Sequence, residues 1–433
     1  MSRRASRSGS FSGKSPHRMS ISGAQPGYPS AQPNQFTIAE AEMDMPFATA
    51  VAHVDETNEK HRIFEAKAQN SSDNLAGQSQ GIQDWPLGLR NKLIQTFKKP
   101  PNERRGGEYL ARYEWPDGLK STIYKSCKKI PLRFFIIDDS GSMILNDGKK
   151  VMKHGNQTKM VKCTRWEELT GTMKFLGELS EELGAPSEFR LLNGSDPIIV
   201  GLGDDNGKSL AFLKEVMSDS PAGPTPLCNH INAVVRSIQS IADVLRANNQ
   251  KVTVMIATDG ESSDGNVADA LRPLTNMPVL VILRLCTSEK EVVEYWNNID
   301  QQLELDIDVL DDQLGDARQV REQNAWLTYG EPLHRLREFG ASMKEMDIID
   351  ESTVSSEQMR VLCSYLYTGG DMEELPHPGV DWRAFSNKIK ELNRTVPMVF
   401  CPLNNAMRPW VDVKQLNTMY AGEYTQSSAC SIM

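Results

Sequence analysis

Two nearly unbroken apolar stretches in this chain end abruptly in acids. Phe134-Phe135-Ile136-Ile137 runs into Asp138-Asp139-Ser140-Gly141-Ser142, and Val252-Thr253-Val254-Met255-Ile256-Ala257 runs into Thr258-Asp259-Gly260. A strand with this pattern belongs in the middle of a parallel sheet, where both faces are covered. Val279-Leu280-Val281-Ile282-Leu283 has the same character, and Phe189-Arg190-Leu191-Leu192 and Ile198-Ile199-Val200 predict two shorter strands. Leu305, Ile307 and Val309 alternate with Asp306 and Asp308, the period of a half-exposed edge strand. Between the strands the apolar period lengthens. Trp166, Leu169, Met173 and Leu176 predict one helix, closed by Gly184, and Leu227, Ile231, Val234, Ile238, Ile241 and Leu245 predict a second with an apolar stripe. Helices are also predicted over 289–298, 313–324 and 333–339. The alternation defines an α/β domain over residues 130–345, a doubly wound, mostly parallel sheet flanked by helices.

Both sides of this domain carry extensions. Trp85, Leu89, Leu93, Ile94 and Phe97 lie at helical spacing before Pro100-Pro101, and a second segment runs through Tyr109, Tyr113, Trp115 and Ile123. Residues 81–129 therefore read as a helical extension packed on the sheet. Beyond 345, helical patterns at 357–366 and 381–392 precede a strand-like run, Val396-Pro397-Met398-Val399-Phe400. These predict a small C-terminal lobe over 346–419, and the pattern leaves open whether it packs back on the sheet. Residues 1–80 are rich in Ser, Gly, Pro, Gln and Asn and read as disordered, and 420–433 as a flexible tail.

Composition narrows the function. The 433 residues carry a net charge of −9, but residues 1–39 hold Arg3, Arg4, Arg7, Lys14 and Arg18 and no acid, so the remainder carries −14. An acidic body lacks the basic footprint that nucleic-acid binding needs. Seven cysteines without paired spacing suit a reducing compartment and predict a cytoplasmic protein. Scattered histidines give no zinc pattern.

The chemistry lies at the strand ends, where ligands bind in open α/β sheets. Asp138, Ser140 and Ser142 alternate, so their oxygens can converge on one side of the chain. Hard oxygen donors without His or Cys suit a hard cation such as Mg²⁺. Downstream, Gly223-Pro224-Thr225-Pro226-Leu227 sets a hydroxyl in a turn before a long helix, and Thr258-Asp259-Gly260 ends the second buried strand. With these pieces the chain resembles the von Willebrand factor type A family over roughly residues 130–340. The resemblance implies a Rossmann-like fold and a metal-ion-dependent adhesion site of Asp138, Ser140, Ser142, Thr225 and Asp259. It also implies that the serines ligate the metal directly, that Thr225 does so directly or through water, and that the aspartates act mostly through water. Mg²⁺, with Mn²⁺ or Ca²⁺ as alternatives, would then take an Asp or Glu from a protein partner. Such a protein is a binding module, a scaffold or adaptor, and not an enzyme.

Three further features add to this expectation. Between Asp147 and Arg165 lie Lys149, Lys150, Lys153, Lys159 and Lys162, around a hairpin-like turn at His154-Gly155-Asn156-Gln157. If the segment is a hairpin, Lys149, Lys150 and Lys153 form a positive arm beside the metal site that attracts an anionic partner. Ser6 and Ser20 follow basic residues as phosphorylation sites do. Cys430-Ser431-Ile432-Met433 fits a prenylation box of the farnesyl kind. One lipid binds membranes only marginally, so the basic N-terminal tail would supply the second signal for a peripheral position on the cytoplasmic face. The alternative is a Mg²⁺-dependent phosphotransfer or phosphatase enzyme using Asp138 and Asp139. Ser140 breaks the D-x-D pattern that dehalogenase-type phosphatases require, and Lys251 precedes its strand, where a receiver domain needs a late lysine.

Overall fold

The computed structural model describes residues 80–427 apart from 155–156, 195, 204, 304, 306 and 342. Ser6, Ser20 and Cys430 lie outside the described residues. After a short 3₁₀ turn at Ile82–Asp84 come α1 (Leu87–Thr96), α2 (Glu103–Arg112) and α3 (Asp117–Lys129). The second segment of the extension is thus two helices. Pro116 breaks it, because the residue before a proline is pushed out of helical geometry, and Glu114 already turns away at φ +60°.

The sheet domain runs through β1 (Arg133–Ile137), the hairpin β2 (Gly148–His154) and β3 (Gln157–Cys163), and α4 (Arg165–Leu183). Next come β4 (Ser187–Leu191), β5 (Ile198–Val200), α5 (Lys208–Val216), α6 (Leu227–Ala247) and β6 (Val252–Thr258). Then follow α7 (Val267–Leu271), β7 (Val279–Leu285), α8 (Lys290–Gln302), β8 (Ile307–Leu310), α9 (Gln313–Gln323) and α10 (Glu331–Glu338). The C-terminal region adds α11 (Ser356–Tyr367), α12 (Trp382–Thr395), β9 (Val399–Cys401), β10 (Ala406–Arg408) and α13 (Val413–Ser427). Helix α5, helix α7, strand β10 and helix α13 have no counterpart in the sequence reading, and α13 replaces the expected flexible tail as far as Ser427, with Tyr420 buried.

The sheet order is β5-β4-β1-β6-β7-β8, all parallel except the β4–β5 pair, so β8 is an edge as its alternation predicts. The chain leaves β1 toward β4 and returns to the other side of β1 at β6. That reversal opens a crevice between the carboxyl ends of β1 and β6.

Successive strand residues face opposite sides. Phe135, Ile137, Met255, Ala257 and Ile282 join one core with α2 to α4, and Phe134, Ile136, Val254, Ile256 and Val281 join another with α1, α6 and α8. The C-terminal elements share the first core through Met359, Leu362, Phe385, Ile389 and Leu416. Leu327 bridges Val411, which ties the C-terminal region to the segment before α10. At Gly118 of α3 a Cβ would lie 2.4 Å from the Leu366 carbonyl oxygen, so only glycine permits this approach to α11.

Above the first core lies a buried ionic network centred on α10. Glu338, with no exposed side-chain surface, meets Arg335 at 2.8 Å, Arg284 of β7 at 3.1 Å and His334 at 3.3 Å. Asp316 accepts from Tyr329 and faces His334, both at 3.1 Å, while Arg337 binds Asp308 and Asp350, both at 2.8 Å. Burial opposes charge on Glu338, but Arg335, His334 and Arg284 hold its carboxyl well below the ordinary range. Burial likewise opposes charge on His334, yet Glu338 and Asp316 raise it to about 9.

Candidate metal site

Strands β1 and β6 deliver their acids side by side at the crevice. The Asp138 amide still donates to the Ala257 carbonyl at 2.9 Å, so the parallel ladder carries on one residue past β1. Asp138 is fully buried. Its Oδ1 accepts from the Ser140 amide at 2.9 Å, and its Oδ2 from Thr258 Oγ1 at 2.6 Å. The first bond folds the chain back as an Asx turn, which starts the 3₁₀ turn Gly141–Ile144. The serines then come together, with Ser140 Oγ and Ser142 Oγ 3.1 Å apart. Ser142 donates to Asp259 Oδ1 at 2.8 Å. Four of the five sequence-predicted residues therefore form one linked cluster, with Ser142 exposed at its mouth.

Thr225, half-buried, lies in a loop whose backbone is bonded to the turn after β1. Ala222 donates to the Asp139 carbonyl at 2.7 Å, and Gly141 to the Gly223 carbonyl at 3.2 Å. From the other side the Ser263 amide holds the Thr225 carbonyl at 2.8 Å. Asp264 caps α6 by accepting from the Cys228 and Asn229 amides, both at 2.9 Å. One loop, 259–266, thus supplies Asp259 and also clamps the threonine turn.

Asp139 points elsewhere. Its Oδ1 accepts from the Asn193 amide and from Asn193 Nδ2, both at 2.9 Å, while Nδ2 also donates to the Pro224 carbonyl at 2.9 Å. Asn193 thus links β1, the turn after β4 and the threonine loop. It needs Gly223 (φ +104°), because a Cβ there would lie 2.4 Å from Asn193 Oδ1. Burial raises Asp139 to about 6 against these bonds. Burial also raises Asp138, against the donors Ser140 and Thr258.

Arg165, which closes the basic insertion in the sequence, is the first residue of α4 and is buried. Its Nη1 donates to Asp259 Oδ2 at 2.9 Å. Its Nε and Nη2 hold Asp147 at 2.8 and 2.7 Å, and Nη2 also reaches Glu289 at 2.5 Å. Burial disfavours its charge, but the hydrogen bonds it donates to these three acids raise its pKa further above the ordinary value. A local signal for its placement was present. Thr164 and Glu167 form a capping box, which makes position 165 the start of a helix and not part of a strand arm.

The three lysines expected to form a positive arm sit on β2, and each faces an acid of the chain: Lys149 Asp312 at 2.9 Å, Lys150 Glu167 at 3.5 Å and Lys153 Glu114 at 3.7 Å. The Lys149 amide donates to Glu168 at 2.7 Å, fixing the hairpin base to α4.

The cluster passes a simple test for Mg²⁺. Ligands lie about 2.0–2.1 Å from the ion in an octahedron, which sets adjacent ligands about 3 Å apart. The two serine oxygens at 3.1 Å match that edge. Because Ser142 gives its proton to Asp259, its lone pairs remain available to a cation. Among the described residues no three His, Cys, Asp or Glu side chains form a metal-binding group, and this donor set is mainly hydroxyls. No family model matches this chain, and no curated protein matches it.

Proposed function

We propose that this chain is a metal-dependent protein-binding module of the von Willebrand factor A kind, a cytoplasmic scaffold or adaptor that takes an acidic group of its partner on Mg²⁺. The observation that carries this reading is the linked set Ser140–Ser142–Asp259 at the reversal point of the sheet. Ser140 and Ser142 would hold the ion directly, Thr225 would close the third side, and Asp138 and Asp259 would act from behind as acceptors. When bound, the ion supplies an open position for a partner's Asp or Glu and the positive charge that binds it. Asp138 supports this role, since a buried carboxylate with only neutral donors gains most from a cation beside it. Ile144 and Leu145, 60% and 48% exposed just beyond Ser142, offer apolar contact area beside the ion.

Phosphotransfer through Asp138 or Asp139 has less support. Asp138 spends both oxygens on internal donors, and Asp139 is turned onto Asn193, so neither presents a free carboxylate to a phosphorus atom. The six described cysteines are free thiols, in keeping with a reducing compartment. Among the described residues no helix is long and apolar enough to cross a membrane, and the prenyl group on Cys430 with the basic tail remains the proposed route to a membrane surface.

The test is an affinity capture from native lysate in Mg²⁺ and in EDTA, with Ser142→Ala alongside in Mg²⁺. Partners lost in both EDTA and the variant support the reading, and an unchanged set contradicts it.

A further inference from the structure

We propose that Arg165 is a positioning residue of the metal site, fixing Asp259 so that Ser142 presents its lone pairs to the cation. This rests on the metal-site reading above. The Asp259 side chain is 1% exposed and has two bonds, Oδ1 from Ser142 and Oδ2 from Arg165. With Oδ2 committed to the guanidinium, the carboxylate plane is set and Oδ1 faces Ser142. Ser142 must then send its proton inward to Oδ1, which leaves the oxygen's lone pairs on the side of Ser140. Arg165 is held from behind by the two-point grip of Asp147 and by Glu289. The order runs from Asp147 and Glu289, through Arg165 and Asp259, to Ser142. Outer partners of this type orient the groups that touch a metal.

The inference has a sign that separates it from a plain buried ion pair. A positive charge near a cation site repels the cation, so electrostatics alone predicts that removing Arg165 tightens Mg²⁺ binding. A positioning role predicts the opposite, because a freed Asp259 can turn and Ser142 can point its proton at the ion. The role also gives the hairpin base a reason to sit where it does, since Asp147 immediately precedes β2 and braces Arg165.

The test is calorimetric titration of the full, chelator-treated chain with MgCl₂. Thermal unfolding followed by circular dichroism in EDTA shows that each variant is folded. Arg165→Gln is expected to weaken Mg²⁺ binding about 10- to 100-fold, Arg165→Lys to recover part of that loss, and Glu289→Gln to lose a few-fold. An Arg165→Gln protein that is folded and binds Mg²⁺ as tightly as wild type, or more tightly, overturns the inference. Where Arg165→Gln does not fold, Arg165→Lys and Glu289→Gln decide, and wild-type affinity in both overturns it. Ser142→Ala separates the two levels. Wild-type binding that survives Ser142→Ala, or no binding by wild type, overturns the metal-site reading together with the inference. Binding lost in Ser142→Ala but intact in Arg165→Gln overturns the inference alone.

Discussion

The molecule holds two clusters of charge, and they are built on opposite terms. Around α10, each central acid meets more than one cation or donor: Glu338 has Arg335, Arg284 and His334, and Asp316 has His334 and Tyr329. At the ends of β1 and β6 the balance reverses. Asp138 and Asp139 have only neutral donors, and Asp259 shares Arg165 with Asp147 and Glu289. The first cluster is closed and has no use for another ion. The second is short of positive charge, lined with hydroxyls and open at Ser142. Charge balance, more than the count of acids, separates this closed network from the proposed metal site.

The largest test breaks the closed cluster. Glu338→Ala leaves Arg335, Arg284 and His334 facing a buried gap, and losing one partner of such a network costs about 3–5 kcal/mol. Denaturant unfolding should show that loss, with Mg²⁺ binding by the folded fraction unchanged.

At the open cluster the effect depends on the ion. At a free Mg²⁺ concentration a hundredfold above its Kd, wild type should gain about 2.7 kcal/mol of stability. Ser142→Ala should gain none, while its stability in EDTA falls by about 1–3 kcal/mol, because the buried Asp259 Oδ1 loses its donor. Thermal melts with and without Mg²⁺ measure both numbers.

A pH series sharpens the contrast. His334 is raised from 6.5 to about 9 in the folded chain by Glu338 and Asp316, which outweigh its burial. The folded state therefore holds a proton that the unfolded chain releases, so this stabilisation is complete below about pH 6.5 and is lost as pH rises through 9. The melting temperature should fall across that window, and His334→Gln should flatten the fall.

The smallest effect is expected on the hairpin. Lys153 and Glu114 are both mostly exposed at 3.7 Å, so Lys153→Ala should change stability by no more than about 1 kcal/mol. A larger loss on denaturant unfolding would mean that the hairpin is part of the core structure.

Much of the fold was legible because its strands announce themselves. Runs such as Phe134 to Ile137 and Val252 to Thr258 are buried at every position, and no other element requires that pattern. Asp138 and Asp259, two of the proposed site residues, could be picked out because they sit directly at those strand ends. What the sequence hid were pairs made across long separations. Arg165 reaches Asp259 across 94 residues and Asn193 reaches Asp139 across 54, and nothing near either residue marks its partner. Helix α10 was predicted, but its setting was hidden in the same way: His334, Arg337 and Glu338 are buried, because their partners lie on β7, β8 and α9. Helix α5 is short, with only Leu213 buried, too little for an apolar stripe.

The most direct measurement is an anomalous-difference map from crystals of the full chain soaked in Mn²⁺, a stand-in for Mg²⁺ that scatters strongly. The account predicts a peak in contact with both Ser140 Oγ and Ser142 Oγ, with Asp259 still bound to Ser142 and Arg165. A map with no peak at the serines, or one in which Mn²⁺ sits only elsewhere on the molecule, would contradict it.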